Sequence, residues 1–217
     1  MSFLTTTHQT LTLTPIPPHI PISQVLALLH NHEKMITMNP LVTAHAHLPP
    51  THILAVDFFK AEPADLQPTA SSPCEVWEIT DDMAAANAEE SGGGWRGGWA
   101  KRFIPDQITY LSSFQDREDG LLSITHAPMG VHSVTTWIVR EAGPGESSVM
   151  LGSGGRLVLE ERGVVRASRM LMGFIKTTLQ DSHEKLVRDF MKVLEGKERK
   201  EVNGGEAGTA QGSSGEL

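Results

Sequence analysis

Apolar residues in the last part of the chain recur with the period of an α-helix. Between Ser168 and Gly196, in a segment without proline, apolar side chains are spaced by four or seven positions, at Leu171, Ile175, Leu179, Leu186 and Phe190. This spacing places them on one face of a helix. Ser168 is suited to the N-cap, and Gly196 is suited to the turn that ends the helix. The pattern predicts one helix of about 27 residues, roughly 40 Å long.

The segments before this helix alternate apolar with polar residues and are rich in β-branched side chains, which is typical of strands. Strands are predicted at 5–14, 41–47, 75–80, 108–114, 121–127, 131–140 and 157–167, with a further possible strand at 52–59. A short helix, capped by Ser23 and running to about His32, is predicted after the first strand and a stiff proline-rich connection.

Most of these strands are joined by connections too short for a crossover helix, so neighbouring strands are expected to pair antiparallel. A sheet with one apolar face needs a covering layer, and only the C-terminal helix is long enough to provide it. The predicted fold class is α+β. It consists of a curved antiparallel sheet of about seven strands wrapped on a long C-terminal helix, with a short helix after the first strand. This is the helix-grip arrangement.

We expect residues 1–195 to form a single domain, because 217 residues suffice for one sizeable core and are few for two. Loops are predicted at 60–73, 82–98 and 141–148, where proline, glycine, alanine and acidic residues interrupt the alternation. Residues 197–217 carry no apolar periodicity and are predicted to be a disordered tail.

Charge and composition narrow the class of protein. The net charge is −8, and no basic stripe with interleaved aromatic residues occurs, so we expect no nucleic-acid partner. Cys74 is the single cysteine, which excludes an internal disulfide framework and fits a reducing compartment. No secretory signal and no apolar run of about 18 residues is present, so a cytoplasmic protein without a membrane span is expected. The oligomeric state stays open.

One block of the sequence resembles a known family. The block is YLSSFQDREDGLLSITHAPMGVHSVTTWIV, and it is accompanied by the opening TTTHQTLTLTPIP, by NPLV, by EITD and by the closing LVLEERGVV and MLMGFIKTTLQDSHEKL. Together these pieces resemble an uncharacterised fungal family, a domain of unknown function with a START-like (SRPBCC, helix-grip) fold. The resemblance implies that fold and an apolar ligand held between sheet and helix. It implies no catalytic residues and no cofactor, and the Gly92–Gly98 loop departs from the family pattern.

A ligand cavity between sheet and helix would be lined by apolar side chains with a few placed polar groups. Tyr110, Ser112 and His126 are the candidate polar groups, if their strands face inward. The full set of candidate ligand-binding residues is Trp77, Tyr110, Ser112, Phe114, His126, Trp137, Met172, Ile175 and Leu179. The alternative is that the same side chains form an ordinary packed core.

Metal binding and nucleophilic catalysis find little support. His45, His47 and His52 can approach one another if the chain turns back after Pro49-Pro50, but no carboxylate or thiolate with ligand spacing accompanies them. We interpret them as exposed histidines and predict no metal site; His126 and His132, which flank a turn, are interpreted as structural. Cys74 has no histidine nearby in sequence, and no nucleophile elbow occurs.

Three hypotheses about function remain. The first, which we favour, is binding of an apolar small molecule or lipid in a cavity between the sheet and the C-terminal helix. The second is a polyketide cyclase-like enzyme in the same cavity, using Tyr110, His126 and one of three carboxyl groups, at Asp106, Glu160 and Glu161, for general acid–base chemistry. The third is a protein-interaction or structural module with a filled core and an exposed apolar patch.

Overall fold

Seven strands form one antiparallel sheet in the computed structural model, which describes residues 5–83, 105–143, 146 and 157–196, without the side chains of 174 and 177–184. The strands are β1 (Thr5–Pro15), β2 (Val42–Leu48), β3 (Glu75–Asp82), β4 (Gln107–Arg117), β5 (Gly120–Ala127), β6 (Val131–Glu141) and β7 (Leu157–Ser168). Their spatial order is β1-β7-β6-β5-β4-β3-β2, and every neighbouring pair is antiparallel. The predicted antiparallel sheet of about seven strands is confirmed.

Four α-helices accompany the sheet in the described part of the chain: α1 (Ile22–Leu29), α2 (His32–Thr37), α3 (Ile53–Phe58) and α4 (Arg169–Leu194). Because β1 and β2 lie at opposite edges of the sheet, α1 and α2 span the distance between those edges. We call the face of the sheet that α4 covers the inner face, and the opposite face, against which α3 packs, the outer face.

The long helix begins and ends where the sequence indicates. The Ser168 side chain accepts a hydrogen bond from the Leu171 backbone N–H at 3.3 Å, and this satisfies a donor that the first turn leaves unpaired. Gly196 has φ of +68°, the left-handed conformation that terminates helices. At the same end, Gln24 Nε2 on α1 donates a hydrogen bond of 2.9 Å to the Leu194 carbonyl, which ties α1 to the end of α4.

Two hydrophobic clusters occupy the two faces of the sheet. The larger lies on the inner face beneath α1, α2 and the last turns of α4, and its members include Ile16, Val25, Leu29, Leu121, Phe190 and Leu194. The smaller lies on the outer face, where Ala55 and Phe58 of α3 pack on Val76 and Ile124. The inner face is therefore filled solidly at only one end, beneath α1 and α2.

Two local predictions are wrong. The possible strand at 52–59 is the helix α3, because the His52 side chain accepts a hydrogen bond from the Leu54 N–H and caps a first turn. Burial there follows a spacing of three, at Ala55 and Phe58, and not the alternation of a strand. The short helix after β1 starts at Ile22 after Pro21, one residue before the predicted Ser23 cap, and α2 follows it as a second short helix.

The β4–β5 hairpin turns between Arg117 and Gly120, as the Asp-Gly at the end of the loop indicates. Gly120 pairs with Ile138 of β6, and a Cβ atom on it would collide with the Trp137 backbone carbonyl. Glycine is therefore required at this position by the close approach of β6.

The predicted loop at 60–73 contains two single turns of 3₁₀-helix, at Phe59–Ala61 and Ala64–Leu66. Most of the predicted loops at 82–98 and 141–148, and the whole predicted tail at 197–217, lie outside the described residues. Across the described residues, no helix combines the length and the apolar character that crossing a membrane requires.

Candidate functional site

A cavity of about 300 Å³ lies between the inner face of the sheet and α4. Side chains from β3, β4, β5, β6 and β7 form its floor, α2 closes one side, and Leu171, Ile175 and Leu186 of α4 form its roof. This volume is at the lower end of the range found for small-molecule sites. The cavity occupies the part of the inner face that α1 and the last turns of α4 leave uncovered.

Five residues of the predicted ligand-binding set line this cavity: Tyr110, Ser112, Phe114, Trp137 and Ile175. The first three alternate along β4, so they share one face of the strand, as the sequence pattern predicts. Trp137 reaches the same space from β6. The placement of these side chains agrees with the predicted cavity.

Two other members of the set lie beside the cavity. Trp77 is on the inner face of β3, but its ring packs against those of His47 and His45, with ring centroids 5.1 Å and 5.8 Å away. Met172 is buried on α4 and does not line the cavity. Leu179 falls among the residues whose side chains lie outside the described part of the structure.

The prediction that His126 contributes a polar group to the cavity is wrong. His126 lies on the outer face of β5, where it stacks on Phe58 of α3 with ring centroids 4.1 Å apart. The inner-face residues of β5 are Ser123, Thr125 and Ala127, which alternate with it. Successive side chains of a strand point to opposite faces, so an error of one residue in the predicted alternation places a side chain on the wrong face.

The principal polar contact in the cavity is made by Tyr110 and Asp81, and Asp81 is a residue that sequence reasoning missed. The Tyr110 hydroxyl donates a hydrogen bond of 3.1 Å to Asp81 Oδ1. Asp81 stands two positions beyond Ile79 on β3, so the alternation places it on the inner face. That alternation was the signal that could have found it, but the strand was predicted to end at Thr80, one residue before it.

The environment of this pair raises the pKa of both ionisable groups. Burial raises the pKa of Asp81 to about 6, while hydrogen bonds from Tyr110 and Asn39 act in the opposite direction and only partly offset it. Burial also raises the pKa of Tyr110 well above its usual value, and the neighbouring Asp81 carboxyl raises it further. Tyr110 therefore stays a hydrogen-bond donor at neutral pH, and Asp81 can exchange a proton near neutral pH.

Hydroxyl groups make the floor of the cavity amphiphilic. Ser112 and Thr125, on neighbouring strands, are within hydrogen-bond distance of each other, and three more hydroxyl-bearing residues line the floor, at Ser123, Ser133 and Thr135. The roof and the α2 side are apolar, with Met35, Ile36, Leu171, Ile175 and Leu186. The cavity can therefore hold a mostly apolar molecule that carries a few oxygen atoms along one edge.

An exposed turn forms part of the cavity wall. Pro128–Gly130 is a single 3₁₀ turn between β5 and β6, and Met129 within it has φ of +61°. A methionine in the left-handed region is uncommon. The Met129 side chain both lines the cavity and is 48% exposed, so it is in contact with the cavity and with solvent at once.

None of Cys74, His45, His52 and Glu160 lines the cavity. Burial raises the pKa of the Cys74 thiol to about 11, with Arg117 lowering it to a smaller extent, so Cys74 is a protonated thiol at neutral pH. His52 caps α3, and His45 contacts Glu33 at 3.4 Å, so the two make separate contacts. Glu160 is buried on the outer face, where it pairs with Arg140 at 2.6 Å and with Arg162.

The comparison with protein families decides where the chain belongs. The model of the family described as "Domain of unknown function (DUF7053)" matches residues 5–196. The chain belongs to the DUF7053 family. The match includes every strand described above and all of α4, so both walls of the cavity lie within this DUF7053 domain.

Comparison of the DUF7053 domain with curated proteins finds no match. Among solved structures, it is similar to the ZhuI aromatase/cyclase of Streptomyces sp. R1128, at 12% identity and a TM-score of 0.46, over 88% of this chain and 94% of that chain. It is also similar to TTHA0849 of Thermus thermophilus, at 12% identity and a TM-score of 0.44, over 88% and 98% of the two chains. A third is Ara h 8.0201, at 10% identity and a TM-score of 0.44, over 87% and 99%. Likenesses of this size identify no function for the chain.

Proposed function

We propose that this DUF7053 domain binds an apolar small molecule or a single lipid chain in the cavity between the sheet and α4. The observation that carries the proposal is the cavity itself, an apolar roof over a hydroxyl-lined floor with the Asp81–Tyr110 pair in its wall. In an ordinary packed core, neighbouring side chains fill such a space, because side chains that surround an apolar void lose dispersion contacts with one another. Its volume of about 300 Å³ suits one small molecule and is too small to enclose a two-chain phospholipid.

The polar groups define the expected ligand further. The single Tyr110 proton is donated to Asp81, so the groups left for a ligand are the Asp81 carboxyl and the hydroxyl groups of Ser123, Ser133 and Thr135, which can donate or accept. A largely apolar compound with carbonyl or hydroxyl oxygens at one edge matches this distribution. An anionic compound does not match, since none of the described side chains that line the cavity is cationic and could compensate its desolvation.

The test is native mass spectrometry of freshly purified full-length protein, together with the denatured mass and an organic extract. We expect a reproducible additional mass that is lost on denaturation and is recovered in the extract as an apolar compound. A bare native mass, combined with the absence of a thermal shift across a panel of fatty acids and aromatic polyketides, would overturn the proposal.

A second candidate function is favoured by the Asp81–Tyr110 pair. A carboxyl group with a pKa of about 6 is suited to removing a proton adjacent to a carbonyl of a bound substrate; once Asp81 has taken up that proton, the Tyr110 hydroxyl is released to donate to the developing oxyanion. The domain would then be a cyclase-like enzyme acting on a polyketide-like substrate. Asp81 replaces His126 and the three carboxyl groups considered from sequence as the candidate acid–base residue.

The Asp81→Asn variant separates the two functions. It keeps the shape of the cavity and an acceptor for Tyr110, but it cannot take up a proton. If the domain only binds, wild type and variant will carry the same extracted compound. If it is an enzyme, the variant will retain a different mass, that of the unreacted substrate, and the wild type will convert that compound when it is added back.

The interaction-module hypothesis retains one supporting feature, on the outer face. Ile53, Leu54 and Val56 of α3 are exposed, at 64%, 39% and 50%. This hypothesis also requires a filled core, whereas a cavity lies on the inner face. We therefore rank the interaction module below the two cavity functions.

A further inference from the structure

Three potential metal ligands converge on the outer face of the sheet, opposite the cavity. Glu62 follows α3 in the chain, His126 lies on β5 and His132 lies on β6. The Nε2 atoms of His126 and His132 are 2.6 Å and 3.0 Å from the same oxygen, Glu62 Oε1. One ligand atom from each residue falls within 4.8 Å of the others. From the sequence, His132 was predicted to be structural, His126 to be either structural or a polar group of the cavity, and Glu62 to lie inside a loop.

The sheet holds the two histidines in place. His126 and His132 are direct partners in the β5–β6 ladder, and directly opposed residues have Cβ atoms about 4.5–5.5 Å apart. Their rings lie 5.2 Å apart, and the His126 ring is stacked on Phe58 at an interplanar angle of 12°. The separation of the two imidazoles is therefore determined by backbone pairing, and the His126 ring has little freedom to turn.

Glu62 supplies the charge that a cation needs. Its side chain is only 3% exposed, whereas the side chains of His126 and His132 are 29% and 35% exposed. A buried carboxylate is costly unless it is paired or coordinates a metal ion. The partly exposed histidines leave a path by which an ion can reach it. Glu62 thus faces two nitrogen ligands from a position out of solvent.

The chemistry of the three groups selects the kind of ion. Two imidazoles and one carboxylate are the protein ligands of one class of zinc site, and Zn²⁺ readily takes nitrogen and oxygen ligands together. Ca²⁺ and Mg²⁺ prefer sites built entirely from oxygen atoms. Ligand atoms about 2.1 Å from a tetrahedral Zn²⁺ are about 3.4 Å apart. The distances from the two Nε2 atoms to Glu62 Oε1, 2.6 Å and 3.0 Å, therefore each need to lengthen by less than about 1 Å.

The geometry points to a divalent transition-metal site formed by Glu62, His126 and His132, for which Zn²⁺ is the best match. A bound ion would connect the segment that follows α3 to β5 and β6, and would hold α3 on the outer face. With three protein ligands, one tetrahedral position is left for water or a further ligand. The site and the cavity lie on opposite faces of the sheet, so the inference does not depend on the proposed function.

The experiment is a titration of Zn²⁺ into the full-length chain, prepared without a histidine tag and treated with a chelator beforehand. Isothermal titration calorimetry measures stoichiometry and affinity, and thermal unfolding with and without one equivalent of Zn²⁺ measures stabilisation. We expect one equivalent to bind and the melting temperature to rise.

Three variants locate the ion. Glu62→Gln keeps an oxygen that accepts hydrogen bonds from both imidazoles but removes the charged ligand, and His132→Asn removes the most exposed ligand. Each should lower the Zn²⁺ affinity at least about tenfold and abolish the thermal shift. His45→Asn combined with His47→Asn is the matched control, because it removes two histidines from β2 that lie elsewhere on the sheet. It should bind Zn²⁺ as the wild type does.

Several outcomes would overturn the assignment. These are failure of the wild type to bind one equivalent, unchanged affinity in both Glu62→Gln and His132→Asn, and loss of binding in the β2 control. If Glu62→Gln fails to fold, as its circular dichroism spectrum would reveal, His132→Asn decides the question by itself.

Discussion

The Tyr110 hydroxyl donates a hydrogen bond of 3.1 Å to Asp81 Oδ1 in the wall of an otherwise largely apolar cavity. This contact joins two strands, β3 and β4, at a place where neither side chain is well hydrated. It keeps a carboxyl group within the cavity, and burial raises the pKa of that group to about 6. Under the proposed functions, ligand choice and acid–base chemistry depend on the same contact as stability does.

The first prediction concerns stability as a function of pH. The pKa of Asp81 is about 6 in the folded state against an ordinary value of 3.8, so between about pH 4 and pH 6 the folded protein holds a proton that the unfolded chain has released. Stability from this group is therefore present below pH 4 and is lost as the pH rises to 6, by on the order of 2 kcal/mol. Urea unfolding of the wild type and of Asp81→Asn across pH 4–7 measures the difference between them. Parallel curves for the two proteins would contradict the prediction.

The second prediction concerns the donor. Tyr110→Phe removes the hydrogen bond to Asp81 and leaves the ring in place, so its cost should be greater when Asp81 is charged. We expect a loss of about 1.5–3 kcal/mol at pH 7 and about 0.5–1.5 kcal/mol at pH 4. The double variant Tyr110→Phe/Asp81→Asn is the control, because the pH dependence should vanish when the carboxyl group is absent. An equal loss at both pH values would show that the contact is not charge-dependent.

The third prediction tests whether the cavity holds the ligand. Ser133→Phe places a phenyl ring in the space above β6. In native mass spectra it should lower the fraction of protein that carries the ligand at least about tenfold, without loss of thermal stability. Thr136→Leu, on the same strand, is the matched control, because its side chain points to the outer face. Equal ligand occupancy in the two variants would place the ligand elsewhere.

The fourth prediction concerns the start of α4. Ser168→Ala removes the side-chain acceptor of the Leu171 N–H and should lower the free energy of unfolding by about 1 kcal/mol. Ser168→Gly should cost only a few tenths of a kcal/mol, since glycine is tolerated at an N-cap. Chemical denaturation of the three proteins at one pH measures both effects. An alanine variant as stable as the wild type would show that the cap hydrogen bond contributes nothing measurable.

Much of the fold is readable from local patterns. The alternation at 108–114 and 131–140 identifies two strands of the sheet, and the period of four from Leu171 to Phe190 identifies α4. These features are visible because each depends on which side of a single element meets the core. The segment 52–59 was misread as a strand because its short run of apolar residues fits either state at that length, and only the His52 cap and the spacing of Ala55 and Phe58 distinguish the two.

The candidate site was only partly readable. Tyr110, Ser112 and Phe114 are every second residue of β4 and therefore lie on the same face. If one of them is on the inner face, the other two are there as well. The predicted face of His126 is wrong because the face of each β5 residue depends on the register of the β4–β5 hairpin. In that register His126 lies opposite Leu111, which is on the outer face. Asp81 was missed because its strand continues two residues past the predicted end.

The sequence by itself therefore determined the order of the seven strands along the chain, the antiparallel sheet and the long helix that covers it, since these follow from periodicity, capping and short connections. Only the tertiary structure decided that the inner face is incompletely filled, that Asp81 meets Tyr110 there, and that Glu62 meets His126 and His132 on the other face. Glu62 and His126 are 64 positions apart in the chain. Contacts between such distant residues depend on strand register and helix packing, and no local pattern of apolar and polar residues encodes them.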